Sequence, residues 1–272
     1  MTENNKLDEL INILKKMESA VLAFSGGADS TFLLKALQMS GIRTLAVTRS
    51  SEIIPEHEIP AAKEIAEETG IEHRVLETEE LSAEEFISNS PERCCFCKAM
   101  LFKRLTDIAL SEGYRVILDG SNKDDTFEFR PGRKAASAYN VRSPLLEAAF
   151  SKADVRGFSR VLGLPTWDKP SSPCLATRIP YGRRITKESL KRVARSEDFL
   201  KSLGFRQLRV RDHGRIARIE LGEDEIASVL GDETRKTIAE ALKSFGYDFI
   251  SLDLEGYQSG SMDRFHERRS IS

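Results

Sequence analysis

The chain has 272 residues, of which 40% are hydrophobic and 31% are charged, and its formal net charge at pH 7 is −2. This composition is typical of a globular protein that can bury one large core or two smaller ones. The balanced charge argues against a surface built to bind nucleic acid. The first residues lack the basic-then-apolar pattern of a secretory signal, and no apolar run approaches the roughly 20 residues of a membrane span. We therefore predict a cytoplasmic protein that binds neither nucleic acid nor membranes.

The first predicted elements are an amphipathic helix over residues 7–17 and a short apolar strand over residues 20–24. A tight turn follows, and the next helix runs to about Ser40, where Gly41 ends it. The turn consists of Ser25, Gly26, Gly27, Ala28, Asp29 and Ser30. The sequence therefore predicts a strand, a glycine-rich turn and a helix in direct succession.

This turn has the residue types of a phosphate-binding loop. Its glycines permit backbone angles that side chains forbid, and the first N–H groups of the following helix have no partner within that helix. These groups and the helix dipole favour an anion, and Ser25 and Ser30 add hydroxyl donors. Asp29 is explained if it holds a Mg²⁺ ion that bridges to the phosphates. The alternative is an ordinary Gly-Gly turn.

The turn resembles the SGGxDS loop of the PP-loop ATP pyrophosphatases. It is not a Walker-type loop, because no Gly-Lys-Ser/Thr follows the glycines, and adjacent glycines do not fit the dinucleotide fingerprint. The resemblance implies that ATP is cleaved between the α and β phosphates and that AMP is transferred to the substrate.

Further strands are predicted at residues 44–48, 73–76 and 114–119, and further helices near 59–69, 101–109 and 153–162. Short apolar strands alternating with helices predict an α/β fold with a parallel, doubly wound sheet. Ligands of such sheets lie beyond the carboxyl ends of the strands. We therefore expect three strand ends, Phe24–Ser25, Thr48–Ser50 and Asp119–Ser121, to share one crevice, in which Thr48, Ser50 and Gly120 receive the adenosine.

A polar segment, Asp119–Asp125, follows the strand at residues 114–119. Because this segment is expected at the same edge of the sheet as the phosphate loop, we predict that it contacts nucleotide or substrate. The candidate residues are Gly120, Asn122 and Asp125. The same residue types also suit an ordinary turn.

The remainder of the chain predicts a smaller α+β domain. A Pro- and Ser-rich connector indicates a boundary that divides the chain into residues 1–170 and 171–272. Helices are predicted at about 186–203 and 223–244, the latter broken near Gly231, and strands at 207–212, 216–221 and 248–252.

Five arginines are candidates for binding an anionic substrate, since planar guanidinium groups suit phosphate and carboxylate. Arg130 and Arg133 flank a Pro-Gly turn, where a solvated basic loop is the alternative. Arg178 lies near the connector. Arg209 and Arg211 alternate on one strand and so share a face, where a surface ion-pair ladder is equally compatible.

The four cysteines are Cys94, Cys95, Cys97 and Cys174. In a cytoplasmic protein they favour a metal site or catalysis over structural disulfides. The C-x-x-C pair, Cys94 and Cys97, fits a redox dithiol, half a zinc site or cluster ligands, but the loop-like residues before it disfavour a thioredoxin-like dithiol. Three thiolates with one open position suit a [4Fe-4S] cluster, and buried inert thiols are the alternative.

Several segments together resemble the LarE family of ATP-dependent sulfur transferases, which act in nickel-pincer cofactor biosynthesis. The resemblance covers about residues 7–255, and its most specific part is the Trp-Asp-Lys-Pro…Cys-Leu-Ala-x-Arg block. The matching segments are Ser25–Ser30, Arg93–Lys98, Asp119–Asn122, Arg130–Arg133, Arg142–Leu145, Leu164–Pro170, Cys174–Arg178 and Tyr181–Gly182.

The resemblance implies adenylation of a carboxylate on pyridinium-3,5-biscarboxylic acid mononucleotide, followed by replacement of oxygen by sulfur. Some members give up the sulfur of a cysteine at the position of Cys174, whereas others hold a [4Fe-4S] cluster through three cysteines. Because Cys94, Cys97 and Cys174 are all present, the chain resembles the cluster type, and Cys95 is left without a role. The resemblance also implies a homo-oligomer, in which Arg209 and Arg211 bind the substrate phosphate from a neighbouring subunit, and other pathway enzymes as partners.

Other functions remain open at this point. A tRNA thiolase or an ammonia-dependent ligase of the same superfamily would use the same loop, although the charge argues against the first and idle cysteines against the second. A nucleotide-binding regulatory protein is the non-enzymatic alternative.

Overall fold

The computed structural model describes residues 3–126, 132–258 and 260–262. The helices of this part are α1 (Glu3–Lys15), α2 (Ala28–Ser40), α3 (Glu58–Thr69), α4 (Glu84–Ile87), α5 (Arg93–Glu112), α6 (Gly132–Ala138), α7 (Pro144–Glu147), α8 (Lys152–Val161), α9 (Lys187–Ser202), α10 (Ile226–Val229) and α11 (Asp232–Ser244). The strands are β1 (Ser19–Ala23), β2 (Arg43–Ser50), β3 (Glu72–Glu77), β4 (Val116–Leu118), β5 (Leu208–Asp212), β6 (Ile216–Leu221) and β7 (Phe249–Leu252). Among these helices, none is long and apolar enough to cross a membrane.

The chain forms two compact units. The first comprises Met1–Glu80 and Glu92–Ser172, and the second comprises Leu81–Pro91 and Pro173–Ser272. The sequence places one boundary after residue 170, whereas the structure also assigns the short segment Leu81–Pro91 to the second unit.

The first unit is built on a parallel sheet in the order β3-β2-β1-β4. Helices α1, α2, α3 and α8 pack on one face, and α5 and α6 pack on the other. The predicted α/β fold is therefore confirmed. Because parallel strands end at the same edge of a sheet, the loops after β1, β2 and β4 leave from one side of the unit.

Helix α5 begins earlier than the sequence pattern predicts. The apolar spacing starts at Leu101, but the helix starts at Arg93, so the C-x-x-C pair lies in its first two turns. Cys97 is buried, as are Phe102, Leu105 and Ala109 further along the helix. The sequence pattern starts late because residues 93–98 carry no apolar residues at helical spacing.

The second unit has a three-stranded mixed sheet in the order β5-β6-β7, with β5 antiparallel and β7 parallel to β6. Its apolar core is formed by these strands with residues of α9 and α11. The predicted α+β fold of this part is confirmed, and the break near Gly231 separates α10 from α11.

Asn89 attaches the segment Leu81–Pro91 to the rest of the second unit. Its side chain is fully buried, and its Nδ2 donates to the carbonyls of Ile179, Pro180 and Arg183 at 3.3, 2.8 and 2.9 Å. Its own carbonyl accepts from the Gly182 N–H at 2.9 Å. The two N–H groups of this amide are thus shared among three carbonyls of a loop about 90 residues away in sequence.

We expect Asn89→Ala to lower the free energy of unfolding by about 2–4 kcal/mol, because the fully buried amide is removed together with its hydrogen bonds to the loop carbonyls. Asn140→Ala is the matched control, since both asparagines have a left-handed backbone, with φ of 56° and 51°, and Asn140 is exposed. Urea unfolding measures both variants. Equal losses in the two would contradict the role of Asn89.

Candidate functional site

The loop between β1 and α2 holds its shape through a glycine packed against a neighbouring helix. Gly26 is buried with φ of +68°, and a Cβ placed on it would lie 3.0 Å from Cβ of Ala62 on α3. A side chain at this position would meet both backbone strain and a steric clash. The loop therefore lies directly against α3.

The two serines of the loop bind each other and the backbone. Their hydroxyl oxygens are 3.1 Å apart, and the Ser30 hydroxyl donates to the Gly27 carbonyl at 3.2 Å. The Gly27 N–H donates to the Ser25 hydroxyl at 3.3 Å, near the long limit for such a bond. Gly27 is the N-cap residue of α2 and has no side chain with which to cap it. The loop thus has the form of an anion site at a helix N-terminus.

The residues after β4 lie against the start of α2. Nδ2 of the buried Asn122 donates to Oδ1 of Asp29 at 3.0 Å. A Cβ on Gly120 would lie 3.1 Å from the Ser30 backbone nitrogen, so this close approach requires glycine. The structure therefore brings Asp29, Ser30, Gly120 and Asn122 together, four of the residues selected from the sequence.

Asp119 and Asp125 order the segment after β4. Asp119 accepts hydrogen bonds from the Ser121 N–H at 3.1 Å and from the Ser143 hydroxyl at 2.6 Å, and Nζ of Lys98 lies 3.6 Å from its Oδ2. Asp125 is buried and accepts from the Asn122 N–H at 3.1 Å. In this structure Asp125 positions Asn122, which in turn positions Asp29.

The end of β2 contributes Thr48 and Ser50 at the same edge of the sheet. Thr48 is buried, and its hydroxyl lies 2.8 Å from Nε2 of His73 on β3. Burial lowers the pKa of His73, which favours a neutral ring beside this hydroxyl. His73 was not selected from the sequence, where a lone histidine in a predicted strand gives no signal.

The C-x-x-C pair lies on one face of α5, since positions three apart on a helix are neighbours. Nη1 of Arg49 donates to Sγ of Cys97 at 2.8 Å, and Nη2 of Arg93 lies 3.9 Å from Sγ of Cys94. Guanidinium groups at these distances stabilise thiolates. Cys95 instead packs against the apolar core of the first unit. Which of the two cysteines acts with Cys97 remains a prediction.

Arg49 lies on β2, one residue before Ser50, so its contact puts Cys97 beside the carboxyl ends of the strands. Within residues 3–126, 132–258 and 260–262, no three His, Cys, Asp or Glu side chains are arranged to hold a metal ion.

Cys174, in the second unit, precedes a short 3₁₀ turn, Leu175–Arg178. Nη1 of Arg178 donates to the carbonyls of Pro173 and Cys174 at 2.7 and 3.2 Å, and its Nε and Nη2 bind Glu197 at 2.8 and 2.9 Å. Burial raises the pKa of Glu197, but the charge of Arg178 outweighs it, so the pKa is below its usual value. In this structure the buried Arg178 positions the backbone at Cys174, and its substrate contact remains a prediction.

The other candidate arginines are placed differently. Arg133 is exposed on α6, and Arg130 lies outside the described residues. Arg209 and Arg211 are buried on β5. Arg211 donates to Glu220 at 2.6 Å and to the Thr177 carbonyl at 3.1 Å, and Arg209 lies 5.0 Å from the Tyr257 ring. Both arginines thus have contacts within the second unit. These contacts do not test the prediction that the two arginines bind a phosphate.

Two ion pairs at the site were not selected from the sequence. Nζ of Lys169 donates to Oε2 of Glu58 at 2.7 Å and to the Gly26 carbonyl at 3.1 Å, and Arg49 pairs with Glu80 at 3.2 Å. Lys169 belongs to the Trp-Asp-Lys-Pro block, and this membership was the one feature of the sequence that could have marked Lys169 as a site residue. Glu58 lies in an otherwise ordinary amphipathic helix, and no feature of the sequence marked it as a site residue.

Comparisons with known proteins agree with this geometry. The model of the family described as queuosine biosynthesis protein QueC matches residues 19–90, which contain β1, the loop, α2, β2 and α3. An uncharacterised protein of Synechocystis is 41% identical over 96% of this chain and 97% of its own length. One from Methanocaldococcus jannaschii is 32% identical over 93% and 98%.

A third relative has a named activity. The pyridinium-3,5-bisthiocarboxylic acid mononucleotide synthase of Lactiplantibacillus plantarum is 40% identical over 93% of this chain and 92% of its own length. Identity at this level across nearly all of both chains shows that this protein belongs to the LarE family of the PP-loop ATP pyrophosphatases and is an ATP-dependent sulfur transferase.

Proposed function

We propose that this enzyme adenylates a carboxylate of pyridinium-3,5-biscarboxylic acid mononucleotide and converts it to a thiocarboxylate. The substrate is taken from the name of the Lactiplantibacillus plantarum relative, which covers nearly the whole chain. The observation that carries the chemistry is the loop Ser25–Ser30, whose N–H groups open a helix beside the carboxylate of Asp29. That combination suits a Mg²⁺-bound polyphosphate.

In the first step a carboxylate oxygen of the substrate attacks the α phosphorus of ATP. The bond from the α phosphorus to the bridging oxygen breaks, and pyrophosphate leaves with that electron pair. Backbone N–H groups of the loop would stabilise the charge that develops on pyrophosphate. We assign Thr48, Ser50 and Gly120 to the adenosine and Asn122 and Asp125 to the support of the loop, since Asn122 holds Asp29 in place.

A Mg²⁺ ion fits the residues present, because the Asp29 carboxylate lies in the first turn of α2 and accepts a hydrogen bond from the uncharged amide of Asn122. When bound, the Mg²⁺ ion would neutralise negative charge on the β and γ phosphates.

In the second step a sulfur nucleophile attacks the acyl carbon, and AMP leaves with the electrons of the acyl–oxygen bond. We propose that Cys94, Cys97 and Cys174 hold a [4Fe-4S] cluster, which would supply a sulfide that can be replenished. Three observations support Cys94 and Cys97: they share a helix face, each lies beside an arginine, and Cys95 packs against the apolar core. Cys174 is included on the resemblance alone.

The alternative sulfur source is Cys174 itself. Its thiol would attack the acyl carbon, and loss of the Cys174 α proton would then break the bond between its Cβ and sulfur, leaving dehydroalanine. This route works once per chain and needs neither Cys94 nor Cys97.

The proposal extends to the substrate contacts and the assembly. Arg130, Arg133, Arg178, Arg209 and Arg211 are the proposed anion-binding residues. We further propose a homo-oligomer working in the cytoplasm with other enzymes of nickel-pincer cofactor biosynthesis.

The product itself tests the function. Under anaerobic conditions, the enzyme with ATP, Mg²⁺ and the biscarboxylic mononucleotide should form AMP, pyrophosphate and a nucleotide in which sulfur replaces oxygen, as measured by mass spectrometry. Release of ADP and phosphate, or pyrophosphate release that requires tRNA or ammonia instead of the mononucleotide, would contradict the proposal.

Asp29→Asn should slow acceptor-dependent pyrophosphate release about a hundredfold, because the developing charge loses its metal partner. A titration with Mg²⁺ should show weaker metal dependence in the variant. Asp107→Asn on the exposed side of α5 removes the same charge away from the loop and is the control. An Asp29→Asn enzyme with the rate and metal dependence of the control would rule out a metal at Asp29.

Alanine substitutions of the cysteines test the cluster. Anaerobically purified protein should be coloured and contain about four iron and four sulfide per chain. Cys94→Ala, Cys97→Ala and Cys174→Ala should each lower these counts, whereas Cys95→Ala should keep them. Colourless, iron-free wild-type protein would assign the sulfur to Cys174, and mass spectrometry would then show loss of H₂S from that residue after turnover.

A further inference from the structure

Lys169 contacts both the phosphate loop and helix α3. Its ammonium donates to the Gly26 carbonyl at 3.1 Å and to the Glu58 carboxylate at 2.7 Å. Its side chain is 25% exposed and that of Glu58 is 10% exposed, so the pair is largely shielded from water. All three residues belong to the first unit.

The partner of Lys169 is itself fixed. Burial raises the pKa of the Glu58 carboxyl, but the hydrogen bond and charge of Lys169, with a hydrogen bond from Ser172, outweigh it and hold the pKa below its usual value. Glu58 is the first residue of α3, the helix whose Ala62 packs against Gly26. Lys169 therefore links the Gly26 carbonyl to Glu58 of α3, the helix whose Ala62 also packs against Gly26.

The contact with the Gly26 carbonyl determines the direction of the next N–H group. A trans peptide is planar, and its C=O and N–H point to opposite sides. A Gly26 carbonyl held by Lys169 therefore turns the Gly27 N–H away from Lys169. That N–H now donates to the Ser25 hydroxyl in a long bond of 3.3 Å, which an anion can replace at little cost.

We propose that Lys169 is a positioning residue for the phosphate loop: by holding the Gly26 carbonyl it directs the Gly27 N–H at the pyrophosphate portion of ATP. This rests on the proposed binding of ATP at Ser25–Ser30. Lys169 acts through the peptide between Gly26 and Gly27 and does not touch the nucleotide. It follows that Lys169 affects ligands with β and γ phosphates and leaves AMP binding unchanged.

Binding measurements with three probes test this: α,β-methylene ATP with Mg²⁺, pyrophosphate with Mg²⁺, and AMP. Lys169→Met should raise the Kd of the first two about tenfold, the effect of one lost N–H donor to a charged group, and leave that of AMP within about twofold. Lys169→Gln should recover part of the loss, because its amide N–H can still bind the carbonyl. Lys63→Met, on the exposed side of α3, removes the same charge and should change nothing.

Several outcomes would overturn the inference. One is equal weakening of AMP and the ATP analogue in Lys169→Met, which would indicate general damage to the site. Another is an unchanged Kd for all three probes. Glu58→Gln separates positioning from direct binding: it releases the ammonium, so tighter binding of the analogue would make Lys169 a phosphate ligand, whereas equal or weaker binding supports positioning. If the wild-type protein binds none of the probes, the proposed function itself fails.

Discussion

Two places where the backbone leaves no room for a side chain fix the site of this enzyme. Gly26 lies against Ala62, and Gly120 lies against the backbone of Ser30. In the first contact the loop packs against α3, and in the second the residues after β4 pack against the start of α2. Together they hold the loop and the start of α2 between α3 and the residues after β4 before any ligand arrives, which lowers the cost of ordering the loop on binding.

The polar groups around this framework form a connected set. Asp125 positions Asn122, Asn122 orients Asp29, and the two serines bind each other and the Gly27 carbonyl. Lys169 and Glu58 hold the opposite side of the loop. A site whose donors are already oriented stabilises charge without reorganisation during the reaction. The Arg49 contact brings Cys97 to the same edge of the sheet as the loop.

Much of this arrangement could be predicted from the sequence. Alternating apolar strands and helices determined the parallel sheet, and the rule that ligands bind at the carboxyl ends of strands led to the loop, Gly120 and Asn122. Partners far apart in sequence gave no signal. The periodicity of α3 does not show that Glu58 meets Lys169, and nothing in Leu81–Pro91 shows that Asn89 binds three carbonyls of the second unit. Arg178 illustrates the same limit, since its sequence neighbours do not reveal the buried Glu197.

The central claim is that the loop Ser25–Ser30 activates a carboxylate by adenylation. Isotope exchange between labelled pyrophosphate and ATP measures that step alone, because it requires reversible formation of the acyl adenylate and no sulfur. The account predicts exchange that depends on the biscarboxylic mononucleotide and on Mg²⁺ and that persists in Cys174→Ala. Exchange without the mononucleotide, or no exchange although the mononucleotide and ATP both bind, would contradict it.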